Sequence, residues 1–290
     1  MKLATKFNLT LLIVLALSLA ATAYLAYFIL QKNAKNEVIQ HAGMMLETAL
    51  AVRGYTVGEI RPLLKEQMKS NFLPQSVPAY AATQSFNKLR EKHPEYSYKE
   101  ATLNPTNLRD RATDWEADII QAFSMDEKRS EIIGVRETPT GPSLYLARPI
   151  RIKNKGCLTC HSTSSAAPVT MLAKYGSVNG FGWNMNEVVG AQIVSVPMTL
   201  PIQMANKTFI TFISLLIVIF LIILIVINLM IRQIITKPLL GITRMANDVS
   251  MGKMDAPEFS ISTKDEVAVL AASFNRMRRS LQKAMNMLEH

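Results

Sequence analysis

Two long runs without a charged residue frame this chain. Residues 9–30 are apolar or uncharged throughout, and residues 208–231 are dominated by Ile, Leu, Val and Phe. A helix needs about 20 such residues to cross the hydrocarbon of a bilayer, so each run predicts a membrane span. Lys2 and Lys6 before the first run, with Ala21-Thr22-Ala23 inside it, also suit a cleaved signal peptide. The apolar character continues from Tyr24 through Leu30, past the point where a cleaved core stops, and this favours an uncleaved anchor.

Between the spans the period changes. Residues 33–60 read as helix: His41, Met44, Met45, Thr48, Val52 and Tyr55 recur at mostly three- and four-residue steps, which predicts a shared face. No proline separates this helix from the first span, so the two are expected to be continuous. Gly43, Gly54 and Gly58 lower its propensity without breaking it, and Pro62 is expected to end or kink it. Further on, 81–93 predicts a helix, 96–102 a strand, Asn104-Pro105-Thr106-Asn107 a turn and 115–123 a helix. Residues 131–137 and 143–150 predict paired strands joined by Pro139-Thr140-Gly141-Pro142. Gly180-Phe181-Gly182-Trp183 reads as a turn and 188–196 as a last strand, with Pro197 and Pro201 breaking the chain before the second span. Helices followed by a small antiparallel sheet make an α+β domain.

Past the second span, Leu239, Ile242, Ala246 and Val249 step by three, four and three residues behind Pro238. A linker with Gly252 and Pro257 follows. Asp265-Glu266 then opens a helix in which Val267, Leu270, Phe274, Met277, Leu281 and Ala284 keep the same alternation. Sustained three-four spacing is a coiled-coil seam, and two short seams on one chain need a second copy to bury them.

Charge adds orientation. The chain of 290 residues has net charge +10 and a mean hydropathy of +0.15. Lys2 and Lys6 precede the first span and Arg232 and Lys237 follow the second, which puts both ends in the cytoplasm; Lys32, Lys35 and Lys207 pull the other way. No aromatic-interleaved basic patch or helix-turn-helix pattern points to nucleic acid. The expected layout is a tail (1–8), a span (9–30), an outer domain (32–206), a second span (208–231) and a cytoplasmic domain (233–286).

The sharpest chemistry is Cys157-Leu158-Thr159-Cys160-His161, which holds both cysteines of the chain. C-x-x-C-H is the attachment signal for a c-type haem: two thiols add to the porphyrin vinyl groups, and the adjoining histidine falls under the iron. A zinc site would want a second ligand pair, whereas His41, His93 and His290 are scattered singly. A redox dithiol is expected near a βαβ pattern, which the chain does not display. A plain disulfide leaves the histidine unexplained. The expected cofactor is therefore haem c with its iron, held by Cys157, Cys160 and His161.

With these residues in place, the outer segment resembles a family of periplasmic PAS-like sensory domains that carry one c-type haem. The resemblance rests on Arg53-Gly54-Tyr55, Arg61-Pro62, Pro78-Ala79-Tyr80, Asn104-Pro105-Thr106-Asn107, Arg148-Pro149-Ile150, the haem motif, Gly180-Phe181-Gly182 and the stretch 193–197, in that order over most of 40–200. It implies a PAS-like fold, a periplasmic location and a sensor of redox state or of a diatomic ligand. Some members use a cysteine on the N-terminal helix as second axial ligand; here both cysteines serve attachment. His41, Met44 and Met45 are then candidate sixth ligands, against Met68, His93 or an open site, and methionine at helical spacing is commonly core filler. Arg53 and Tyr55 are candidate cofactor contacts. The Arg53 guanidinium suits a haem propionate, and an ordinary surface salt bridge accounts for it equally well. The C-terminal segment resembles a HAMP domain through its initial proline and the Asp-Glu of its second helix, which implies a parallel four-helix bundle shared by two chains; a generic dimerising coiled coil is the plainer reading.

The expected function is a dimeric inner-membrane sensor that relays a change at the haem through HAMP to a separate cytoplasmic output protein, such as a kinase or a chemotaxis-type partner, because no kinase, cyclase or methyl-accepting module follows Leu281. No Gly-rich phosphate loop or Ser/His/Asp set is visible, so an enzyme is not expected. The rival is a membrane-anchored c-type cytochrome that passes electrons; a small-molecule receptor with a structural haem is a third class.

Overall fold

The computed structural model describes residues 3–253, 258–259 and 265–288. It divides into two units. One is Phe28–Thr208; the other combines the chain up to Tyr27 with the chain from Phe209 onward.

The first helix, α1 (Leu3–Tyr55), is a single element, as the missing proline requires. Its buried face is not the expected one. Ala34, Val38, Ala42, Leu46 and Ala49 face the interior, while Met44 is 62% and Tyr55 60% exposed. Three of the five buried positions are alanines, whose short side chains let the helix lie close to the sheet. A pattern read from large residues alone therefore selected a neighbouring face.

Pro62 does not end the helical run. Its ring clashes with the carbonyl four residues back and it lacks an N–H. The backbone answers by widening: Thr56–Ile60 is a π-turn in which Arg61 N–H donates to the Thr56 carbonyl, and helix α2 (Arg61–Leu64) continues beyond it. Then come α3 (Gln67–Ser70) and α4 (Pro78–Arg90), the latter starting on Pro78, where a missing donor costs nothing.

Strand β1 (Ser97–Thr102) leads to α5 (Asp114–Met125), which opens with a capping box between Thr113 and Glu116. The hairpin β2 (Ile132–Thr138) and β3 (Gly141–Arg151) turns at the proline-glycine segment as expected. Two short helices, α6 (Lys155–His161) and α7 (Val169–Tyr175), precede β4 (Val188–Pro197). The four strands pair antiparallel in the order β1-β4-β3-β2. Side-chain alternation gives the sheet two apolar faces. On one, Tyr98, Leu144, Leu146, Val194 and Val196 pack against α1 and α4 through Leu46, Ala49 and Phe86. On the other, Ala101, Ala147, Ala191 and Ile193 receive Ile119, Ile120 and Phe123 of α5.

The interior also holds charge. Arg53 near the end of α1 pairs with the buried Glu100 of β1. Tyr98 O–H donates to Glu100 Oε1 at 2.7 Å, and Gln192 Nε2 donates to the Tyr98 oxygen at 3.2 Å. Burial works to lower the Arg53 pKa, but Glu100 outweighs it and the guanidinium stays firmly charged. Burial first, and the Glu100 charge second, push the Tyr98 phenol far above the ordinary tyrosine range.

Helix α8 (Thr199–Met230) includes Pro201 in its first turn, where no internal donor is needed, so that proline begins the helix rather than breaking the chain. A second π-turn, Ile231–Thr236, leads into α9 (Lys237–Ser250), with Lys237 N–H donating to the Arg232 carbonyl just before Pro238. The last helix is α10 (Glu266–Leu288), capped by Asp265, whose Oδ1 accepts Ala268 N–H at 3.0 Å. Ile242, Met245 and Val249 of α9 and Ala271, Asn275 and Arg278 of α10 are buried, whereas Leu270, Met277 and Leu281 are exposed in the single chain. Pro257 of the expected linker, Lys2 and His290 lie outside the described residues. The helical runs Thr5–Leu64 and Thr199–Ser250 each contain a stretch long and apolar enough to cross a membrane.

Two stability tests follow from this packing. Phe123→Ala empties a fully buried ring position and is expected to cost about 3–5 kcal/mol, read by denaturant unfolding of the detergent-solubilised chain. The Tyr98 pKa is raised in the folded state. Above about pH 10 the unfolded chain releases a proton that the fold retains, so stability is full below that pH and falls as pH rises past it. Thermal melting of Tyr98→Phe between about pH 9 and 11 is expected to lose less stability with pH than the parent does.

Candidate functional site

Helix α6 forms because Asn154 caps it, its Oδ1 accepting Gly156 N–H at 2.8 Å. Three-residue spacing on one turn puts Cys157 and Cys160 on the same side of α6, with His161 next in line. Both thiols are free and half-buried.

The imidazole of His161 is fixed from several directions. Its Nδ1–H donates to the Gly180 carbonyl at 2.8 Å, with Thr106 Oγ1 3.4 Å from the same nitrogen. The Trp183 indole stacks on its face at 4.0 Å and 13°. A carbonyl only accepts, so Nδ1 carries the proton and the Nε2 lone pair is left for a ligand bond. Burial pulls the His161 pKa down and the Gly180 bond only partly restores it, which keeps the ring neutral, the form that binds metals.

Two loops hold this arrangement. Gly182 N–H donates to Ser162 O at 2.8 Å and Trp183 N–H to His161 O at 3.1 Å, pinning the 180–183 turn to the end of α6. Asn104 bridges to the same turn, accepting Gly180 N–H at 3.0 Å and donating to Phe181 O at 3.2 Å. Gly180 has φ +86°, and a Cβ there would stand 2.1 Å from Thr106 Oγ1 and 2.8 Å from the Thr106 backbone. Only glycine fits.

Helix α6 lies within electrostatic reach of the α1–α2 run. The Cys160 thiol is raised by burial while Arg61 pulls it down, and Arg53 feels Cys157. Arg53 itself is committed to Glu100 through Nη1. Tyr55 is turned outward.

Three of the sixth-ligand candidates, His41, Met44 and Met45, sit elsewhere. His41 lines a groove with Glu37, Tyr96, Thr140 and Pro197. Pro197 ends β4 opposite Ser143, whereas the site lies past Thr102, which pairs with Gly190. Seven residues of strand separate those two ends, roughly 20 Å. Met45 packs on the core around Leu144 and Val196, and Met44 faces outward. The structure does not bring these three together with His161. The residues that do surround it, Thr106, Gly180 and Trp183, read as turns in the sequence, the first two also as elements of the family resemblance, and none was given a role beside the haem motif.

Two free thiols on one helical turn beside an imidazole with its Nδ1 satisfied fit the covalent attachment of a porphyrin and one axial ligand. Among the described residues no three His, Cys, Asp or Glu side chains gather to hold a bare metal ion. Gly180→Ala tests the clamp: it should cost about 1–3 kcal/mol of strain and lower the melting temperature, while Gly182→Ala, with no neighbour within 4 Å of its Cβ, pays only for its φ of +84°.

A sequence profile described as Tll0287-like matches residues 31–197, and the HAMP domain profile matches residues 230–283. A solved structure, the crystal structure of the cyanobacterial heme-protein Tll0287, is 14% identical and aligns over 56% of this chain and 95% of its own, with a TM-score of 0.43. No curated protein matches the chain. The first profile covers more than half of the sequence, and the chain belongs to the Tll0287-like family, with a HAMP domain following its Tll0287-like domain.

Proposed function

We propose that this chain is an inner-membrane signal-transduction sensor whose outer domain carries a c-type haem on Cys157 and Cys160, with His161 as proximal ligand. The observation that carries the reading is the His161–Gly180 bond: it leaves Nε2 free and neutral beside two unpaired thiols. When bound, the iron porphyrin supplies an oxidation state and a coordination position that respond to redox conditions or to a diatomic ligand. The chain's own residues orient the imidazole and shield one of its faces with Trp183, and α6 lies within electrostatic reach of Arg53 and Arg61.

Transmission is assigned to two routes. Helix α1 is one element from Leu3 to Tyr55, so a shift at Arg53 is carried along it. Strand β4 hands directly to α8 through Met198. The expected α+β, PAS-like domain thus faces the periplasm, both termini face the cytoplasm, and HAMP is the two-state element both helices bias. Such a switch needs about 1–3 kcal/mol of differential interaction. The exposed Leu270, Met277 and Leu281, spaced by seven and four residues, supply a seam for a second copy, so the HAMP bundle forms in a homodimer. Output passes to a separate cytoplasmic protein of the kinase or chemotaxis type, and the chain itself is not an enzyme.

The test is direct. The chain made in a host with cytochrome c maturation machinery should be coloured, give a pyridine haemochrome spectrum and show one haem of added mass. Cys157→Ala with Cys160→Ala should remove the covalent mass completely. A colourless wild-type chain of unmodified mass would sink the proposal.

A further inference from the structure

One buried chain of polar side chains has no part in attachment. Arg53, Glu100, Tyr98 and Gln192 come from α1, β1 and β4, and the last three are each under a tenth exposed. Burying an ion pair is expensive in desolvation, and packed apolar residues of the same size stabilise at least as well. A chain of this kind in a small domain therefore calls for a role other than stability.

Its placement suggests one. Glu100 stands two residues before the end of β1, and the strand runs straight into the Asn104–Thr106 loop that clamps Gly180 and abuts His161. Arg53 stands on α1, three residues before the turn that widens ahead of Pro62, and its charge is felt by Cys157. The hydrogen bonds of Arg53 to Glu100 use Nη1 alone, although a guanidinium has five N–H donors in a planar fork. Tyr98 completes the shell by donating to the same carboxylate.

We propose that Glu100 is a positioning residue for the haem site: on the strand that runs into the His161 loop it fixes the Arg53 guanidinium and, with Tyr98, balances the buried charge that sets the reduction potential of the iron. This rests on the haem reading above. In the low-dielectric interior an uncompensated charge is weakly screened. With the pair intact the two charges largely cancel. Removing the carboxylate leaves Arg53 alone, and a lone positive charge favours the state with the extra electron. Removing Arg53 leaves the carboxylate alone and favours the oxidised state. Removing the Tyr98 hydroxyl takes away the positive end of one O–H dipole and acts in the same direction as removing Arg53, but less.

The experiment is a redox titration of the full haem-bearing chain in detergent, with mediators and a chemical reductant, followed by visible absorption. Relative to wild type, Glu100→Gln should shift the midpoint potential upward. Arg53→Met should shift it downward, Tyr98→Phe downward by less, and the Arg53→Met/Glu100→Gln pair should return toward wild type. Opposite signs separate this role from simple loosening of the domain, which moves every variant in one direction. If Glu100→Gln fails to accumulate, Tyr98→Phe, which keeps its ring against Phe86 at 4.9 Å, carries the test. Variants that melt earlier with unchanged potentials, or that all shift alike, overturn the proposal and leave the haem assignment standing. A wild type without covalent haem overturns both.

Discussion

One hydrogen bond organises the candidate site: the Nδ1–H of His161 to the Gly180 carbonyl. It selects the tautomer, leaves the Nε2 lone pair for a ligand bond and ties the end of α6 to the loop before β4. The bond exists because Gly180 accepts a positive φ and lets Thr106 approach its backbone. Asn104 and the Gly182 and Trp183 amides then close the loop around it. Without the turn the imidazole would be a mobile side chain on a short helix, and two nearby thiols would have no reason to be held at a fixed separation from it. The covalent attachment proposed for Cys157 and Cys160 requires that fixed separation, so the loop 180–183 is as much a part of the site as the motif itself.

Two prolines divide the helical path in the same way. Pro62 and Pro238 each lack a donor and press on a carbonyl four residues earlier, and in each case the backbone widens into a π-turn before them instead of stopping. The first widened turn lies between Arg53 and Arg61, which lie within electrostatic reach of Cys157 and Cys160. The second lies between α8 and the first HAMP helix. A π-turn has fewer well-made bonds per residue than the α-helix on either side, so it is where a long helix yields first. The placement of both turns follows from single residues that any reader of the chain can see.

Much of the fold was legible for that reason. Strong local signals gave the two apolar runs, the hairpin around Gly141, the strand at 188–196 and the helix opened by Asp265-Glu266, and each is present within a few residues of its expected bounds. The core face of α1 was not legible. Ala34, Ala42 and Ala49 bury little area individually and register weakly against Met44 or Tyr55, yet small residues are what a helix needs to approach a sheet closely. Helices α6 and α7 were missed because each is only seven residues long and capped locally. In the site, Cys157, Cys160 and His161 announced themselves by spacing. Thr106, Gly180 and Glu100 did not, since their roles depend on which loop the topology brings beside which helix.

The alanine-lined contact also bears on how α1 could transmit a change. Large interlocking side chains would fix the register of a helix on a sheet at many points. Here Val38 and Leu46 interlock while Ala34, Ala42 and Ala49 leave a smoother surface, so polar ties share in setting the register. Two such ties are present: Arg53 to Glu100 at one end, and Glu47 to Arg148 at 2.6 Å, which Arg148 extends to Glu131 at 2.9 Å. The second is solvent-accessible and worth little, about 0–1 kcal/mol. The first is shielded from water and joined to the strand that leads to the His161 loop. On the proposed reading, a change of charge at the haem site acts on the buried tie between α1 and the strand that leads to the His161 loop.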